Sequence, residues 1–141
     1  MLGRVFLPPI NSPFEKVSEI LEKISHEADI SFVDFHAEAT SEKMTMGWYL
    51  DGKVTGIFGT HTHIQTADER ILPGKTAYIT DIGMTGPYNS VLGMDKEVAL
   101  SRFLNLTNKR YETAQGNCTL CAVIIETAEN GAASINRLFI K

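Results

Sequence analysis

Four histidines occur in the 141 residues, and two of them stand at i and i+2 in Thr55-Gly56-Ile57-Phe58-Gly59-Thr60-His61-Thr62-His63-Ile64-Gln65-Thr66. The apolar run before them is rich in β-branched and aromatic residues and reads as a buried strand ending at Gly59. If an extended backbone continues through the pair, alternate side chains share a face, so His61 and His63 are expected to point the same way. Neutral imidazole is the commonest protein ligand for borderline metals, and two on one face can reach one ion or a closely spaced pair. Taken alone, the motif also fits a loop with two exposed or hydrogen-bonded histidines. If the strand is parallel, its carboxyl end is where open α/β sheets place ligands. A third imidazole, His36, closes Asp29-Ile30-Ser31-Phe32-Val33-Asp34-Phe35-His36, a strand by composition. Two neighbouring strands would then deliver histidine to one sheet edge. Taken alone, His36 fits a hydrogen-bonded structural residue; together with the pair it could complete a three-imidazole cluster of His36, His61 and His63. His26 falls near a helix end, where a partly charged ring suits the negative end of the dipole, and reads as a surface residue.

The elements that must position these residues follow from local signals. Ser12 reads as an N-cap with Pro13 at the first helical position and Glu15 completing a capping box. Val17, Ile20, Leu21 and Ile24 then recur at helical spacing as a buried face. Thr40 or Ser41 is expected to cap a second helix to about Leu50, with Met44, Gly47, Trp48 and Leu50 inward. Asp51-Gly52 makes a turn before the histidine strand. Strand, helix, strand in this order favours a parallel crossover. Residues 65–75 are polar and irregular, and Thr76–Thr80 is a further strand. Asp95–Leu104 reads as a third helix with Val98, Ala99 and Phe103 inward. Arg110–Thr113, Cys118–Glu126 and Ser134–Ile140 read as an antiparallel meander, with Asn130-Gly131 as a hairpin signal. The fold class expected is α/β, parallel strand-helix-strand units followed by that meander. The short amino-terminal run Met1–Pro9 looks like the end of a strand whose beginning is missing.

The loop Asp81-Ile82-Gly83-Met84-Thr85-Gly86-Pro87-Tyr88 carries two glycines and small polar residues. It fits a substrate-binding lid through Gly83, Thr85 and Gly86, and equally a turn that needs glycine for backbone reasons. Its glycine spacing matches neither a P-loop nor a dinucleotide fingerprint. Cys118 and Cys121 have Cys-x-x-Cys spacing, but three residues apart on a strand they face opposite sides, poor geometry for a shared metal or disulfide. Glu38, Glu42, Asp34 and Asp68 are carboxylates near the histidines in sequence; they fit partners that orient the rings, or surface charges, with the second favoured.

With 43% hydrophobic residues the chain can bury one core, so one domain is expected. A formal net charge of −4 leaves no basic footprint for DNA. No apolar run approaches bilayer length and no signal-peptide pattern is present, so no membrane partner and a cytoplasmic location are expected.

Phe35-His36-Ala37-Glu38-Ala39-Thr40-Ser41-Glu42-Lys43, Gly47-Trp48-Tyr49, Gly59-Thr60-His61-Thr62-His63-Ile64-Gln65-Thr66-Ala67-Asp68 and Thr80-Asp81-Ile82-Gly83-Met84-Thr85-Gly86-Pro87-Tyr88 together resemble the YmdB-like bacterial metallophosphoesterases. These are calcineurin-like dinuclear phosphodiesterases, with activity on cyclic nucleotides such as 2′,3′-cyclic AMP. The resemblance runs in order over nearly the whole chain and covers the carboxyl half of the family's α/β sandwich domain, so 1–141 is expected to be the carboxyl-terminal part of such a domain. The family's amino half carries Gly-Asp-Val-x-Gly, Asn-Gly-Glu-Asn and Gly-Asn-His segments, none of which occurs here. The resemblance implies that His36 and His61 bind one metal and His63 the other, with two divalent ions in all. Iron or manganese is expected, with zinc or magnesium the alternatives; imidazoles suit iron, manganese or zinc better than magnesium. Two such ions hold and polarise a phosphoryl group for in-line displacement. The catalytic histidine and the remaining oxygen ligands are expected in the missing half, so no catalytic residue is assigned here. The partners implied are a phosphodiester or cyclic nucleotide and the missing amino-terminal half or another subunit. The competing reading is a non-catalytic fragment, or a metal-binding or interaction module, whose open sheet edge favours a homo-oligomer.

Overall fold

The computed structural model describes residues 1–8, 11–24 and 26–141. Its elements are α1 (Pro13–Ile24), β1 (Phe32–His36), α2 (Thr40–Leu50), β2 (Gly56–Thr60), β3 (Arg70–Ile71), β4 (Ala77–Ile79), β5 (Gly86–Pro87), α3 (Lys96–Asn105), β6 (Cys118–Ala128) and β7 (Gly131–Ile140). One sheet has the order β1-β2-β4-β3 and the other β5-β6-β7. The β1, β2 and β4 strands are parallel, with His36 opposite Thr60 and Phe58 opposite Ile79. α2 makes the crossover from β1 to β2, as expected, and the fold is α/β. β3 adds an antiparallel edge from a segment read as irregular in the sequence; two residues are too few for alternation to register.

Alternation decides the faces. Val33 and Phe35 of β1 and Ile57 of β2 pack with Val17 of α1 and with Met46 and Leu50 of α2 in one core that also takes Val54, Leu72 and Tyr78. Phe32, Asp34 and His36 therefore turn to the opposite face. There the second sheet approaches: Ile125 of β6 comes to within 3.2 Å of where a Cβ on Gly56 would lie. The β6–β7 hairpin turns through Glu129-Asn130, with Gly131 at φ 123° opening β7. Outside the strands, Leu2 bridges in parallel to His36, and His36 N–H donates to the Met1 carbonyl at 2.9 Å. The amino-terminal segment thus lies along the outer edge of β1.

Several expectations fail for identifiable reasons. α2 buries Lys43, Met46, Gly47 and Leu50, whereas Met44 and Trp48 are 36% and 54% exposed. Apolar residues nearly encircle this helix, so hydrophobicity alone misplaces its inner stripe by about one residue. The N-cap is Ala39, with no side-chain cap, and Thr40 is already helical. In α1 only Val17 and Pro13 are buried, and Ile20 is exposed. Ser12 Oγ accepts the Glu15 N–H at 3.5 Å, as the cap requires. Phe103 of α3 is 80% exposed and Ala99 is the residue it buries. Thr113 makes one bridge to Met94 in place of a strand over 110–113. Among the described residues, no helix is long and apolar enough to cross a membrane.

Candidate metal centre

β1 and β2 end side by side, and their register builds the first half of the site. His36 and Thr60 are cross-strand neighbours on one face, and Asp34 lies two residues back on the same face. Thr60 Oγ1 donates to Asp34 Oδ1 at 2.8 Å and lies 3.0 Å from His36 Nδ1. Assigning protons from these partners puts a hydrogen on Nδ1 and a lone pair on Nε2 of His36.

That Nε2 faces His61 Nδ1 at 3.0 Å, with the rings edge to face. The other nitrogen of His61, Nε2, is 2.9 Å from Glu38 Oε2. A carboxylate holds its N–H on that side, which leaves the Nδ1 lone pair pointing at the Nε2 lone pair of His36. Two facing lone pairs repel unless a cation lies between them, so the pair is suited to sharing one. Two nitrogen ligands about 2.1 Å from one ion and at right angles are about 3.0 Å apart, so the pair fits two adjacent positions on a divalent ion. Thr60–Asp34 and Glu38 are then the outer partners that orient the two rings.

His63 stands apart from this pair. Its Nδ1 donates to the Leu92 carbonyl at 3.1 Å, leaving Nε2 as its free ligand atom. β2 stops at Thr60, and His61 and His63 have φ of 100° and 65°. The extended i, i+2 geometry expected from the sequence is therefore corrected: a left-handed turn, not strand alternation, aims these rings. Histidine is enriched at positive φ, yet each such residue still costs about 1–3 kcal/mol, which the surroundings must offset. Among the described residues, no three His, Cys, Asp or Glu side chains converge to hold a metal ion. The structure thus pairs His36 with His61 and sets His63 separately on the same loop.

The offset comes from a buried clamp under the loop. Asp81 Oδ2 accepts from Thr62 N at 3.1 Å, from Thr62 Oγ1 at 2.6 Å and from Lys43 Nζ at 2.8 Å, while Oδ1 accepts from Gly83 N at 2.8 Å. Lys43 and Asp81 side chains are 2% and 1% exposed. Gly59 leaves room for this ion pair: a Cβ there would lie 1.8 Å from the Thr80 carbonyl oxygen and 2.8 Å from Lys43 Cδ. Sequence reasoning missed both Lys43 and Asp81. The signal was present, because Lys43, Met46, Gly47 and Leu50 form an i, i+3, i+4, i+7 stripe, and a charge on a buried stripe demands a partner.

The four nearby carboxylates all have partners, although Asp34 and Glu38 lie at the surface as expected. Asp34 and Glu38 support the histidines as described. Glu42 is buried and accepts the Arg4 and Val5 N–H groups at 2.9 and 3.3 Å. Asp68 accepts from Thr66 Oγ1, Thr80 N and Thr80 Oγ1. Burial pushes the Asp68 carboxyl up, but these bonds and the Arg70 charge outweigh it and hold it below the usual range.

The glycine loop runs beside the histidine turn, with Met84 N–H donating to the His63 carbonyl at 3.1 Å. Gly83 has φ of 83° and sits against Gln65. Thr85 Oγ1 pairs with the Cys121 backbone, and Gly86 pairs with Thr119 in the second sheet. Tyr88 Oη is 3.0 Å from Cys121 Sγ; burial and then the thiol push the phenol up to about 12. Gln65 Nε2 reaches the Ile82, Ala122 and Leu138 carbonyls, tying the histidine turn to the hairpin. Cys118 is exposed and Cys121 buried, both free. His26 is exposed, as expected.

A Bacillus subtilis (strain 168) protein named 2',3'-cyclic-nucleotide 2'-phosphodiesterase is 49% identical over 140 residues, 98% of this chain and 53% of that protein. A Mycoplasma pneumoniae protein named putative phosphatase/phosphodiesterase is 42% identical over 84% of this chain and 42% of its own length. The crystal structure of a hypothetical protein from Thermus thermophilus superposes with a TM-score of 0.93 at 39% identity, covering 99% of this chain and 54% of that one. A Mycoplasma pneumoniae structure described as a novel phosphatase gives 0.90 at 38%, covering 99% and 51%. The chain spans about half the length of the relatives it matches. The YmdB-like protein family matches residues 1–138, and with that span the chain belongs to the YmdB-like family.

Proposed function

We propose that the chain supplies the imidazole-bearing part of a metal-dependent phosphodiesterase centre acting on phosphodiesters such as cyclic nucleotides. The observation that carries this is the His36 Nε2 to His61 Nδ1 approach at 3.0 Å, with the other nitrogen of each ring held by oxygen. The relatives named as phosphodiesterases support the reaction class. His36 and His61 would hold one divalent ion and His63 the other, with iron or manganese the best match to imidazole and oxygen donors. When bound, such a pair supplies Lewis-acid stabilisation of the charge developing on a phosphoryl group. The residues of this chain keep the ring nitrogens aimed: Asp34 through Thr60, Glu38 directly, and the Leu92 carbonyl on His63. The remaining oxygen ligands and the acid for the leaving group are assigned to the half of the relatives' length that this chain does not match.

The experiment is reassembly. The chain is loaded with manganese and assayed on 2′,3′-cyclic AMP and bis-p-nitrophenyl phosphate, alone and co-expressed with the amino half of a full-length relative. The expected result is little turnover alone, turnover for the pair, and its loss on His61→Ala. A reassembled pair that hydrolyses neither ester, or that keeps its rate with His61→Ala, refutes the reading. A second reading, a non-catalytic module that self-associates, is favoured by the exposed apolar residues Phe103, Leu104 and Leu106 at the end of α3. It predicts oligomers without stoichiometric metal.

A further inference from the structure

The turn that presents His61 and His63 is gripped at its middle residue. Thr62 Oγ1 donates to Asp81 Oδ2 at 2.6 Å and accepts from Lys43 Nζ at 3.3 Å, so both roles of the hydroxyl are filled and its rotamer is fixed. Its backbone N–H donates to the same carboxylate oxygen. Both partners are buried, whereas Glu38, which meets His61 from outside, is exposed. The residues on either side have left-handed φ, so a small rotation at Thr62 turns both rings away from their partners.

We propose that Thr62 is a positioning residue of the metal centre: its hydroxyl, locked between Lys43 and Asp81, sets the directions of His61 and His63 and through them the affinity for a divalent ion. This rests on the metal-centre reading above. Thr62 touches no reacting group, so its effect is expected in metal affinity more than in folding. Thr62→Val keeps the shape and the backbone bond to Asp81 and removes the hydroxyl. Thr62→Ser keeps the hydroxyl.

Zinc chloride is titrated calorimetrically into the full chain and its variants, with thermal melts of the metal-free forms alongside. The dissociation constant of T62V is expected to rise by about 10–100-fold, the range for outer partners of metal ligands, while T62S stays close to the wild type. The metal-free melts should lie much closer together than the affinities. Where T62V does not fold, the T62A and T62S pair carries the same comparison. Equal affinity for T62V and wild type, or an equal loss in T62S, overturns the proposal and leaves the metal centre standing. A wild-type chain that takes up no zinc overturns both, and the two failures are told apart by that control.

Discussion

Replacing Lys43 by Met removes the cation from a carboxylate that is 1% exposed. Breaking a buried pair from one side typically costs about 3–5 kcal/mol, because the remaining charge is stranded. Asp81 keeps three donors here, Thr62 N, Thr62 Oγ1 and Gly83 N, so the low end, about 3 kcal/mol, is expected. Unfolding entropy near 2.1 cal/mol/K per residue gives about 0.3 kcal/mol/K over 141 residues, so the melting temperature should fall by about 10 °C. Circular-dichroism melts and urea unfolding measure this. The K43M/D81N double variant should recover part of the loss, since it removes the stranded charge, and the cycle isolates that coupling. A K43M chain within about 1 kcal/mol of wild type, or a double variant whose losses simply add, would refute the clamp.

Gly59→Ala forces a Cβ against the Thr80 carbonyl, so the sheet end must open; a loss at or above the usual 1–3 kcal/mol for overpacking is expected in the same melts. Asp68 has a lowered folded-state pKa, so its stabilisation is present above the unfolded value of about 3.9 and is lost as pH falls through the folded value. The gap in unfolding free energy between wild type and Asp68→Asn should therefore narrow on acidification below about pH 4, and a constant gap from pH 6 to 2 would contradict it. Glu38→Gln keeps the size of the group on His61 Nε2 but not its charge; zinc affinity should fall by about 10-fold or more with an unchanged melt of the metal-free form, as read by calorimetry.

The α/β framework was legible because β1, β2 and β6 are apolar runs at strand length and the Ser12-Pro13 and Asn130-Gly131 signals are local. The meeting of His36 with His61 was also within reach, since one of two neighbouring parallel strands ends in histidine and the other ends one residue before one. What escaped was the shape of the turn after Thr60. Alternation holds only while the backbone is extended, and nothing in Thr60-His61-Thr62-His63 announces two left-handed residues. The reason lies far off in sequence, in a lysine of α2 and an aspartate after β4 that grip Thr62. Glu38 and Asp34 were undervalued on similar grounds: a carboxylate on the surface looks like any other until the ring it orients is beside it.

The most direct test follows the ring nitrogens themselves. The chain is labelled with 15N-histidine and its long-range proton–nitrogen spectra are recorded before and after zinc. Binding is expected to move His36 Nε2 and His61 Nδ1 to the shifts of metal-bound nitrogen, with His36 Nδ1 and His61 Nε2 remaining protonated and His26 unchanged. Zinc that leaves the His36 and His61 signals where they were, or that binds His61 through Nε2, would contradict the centre described above.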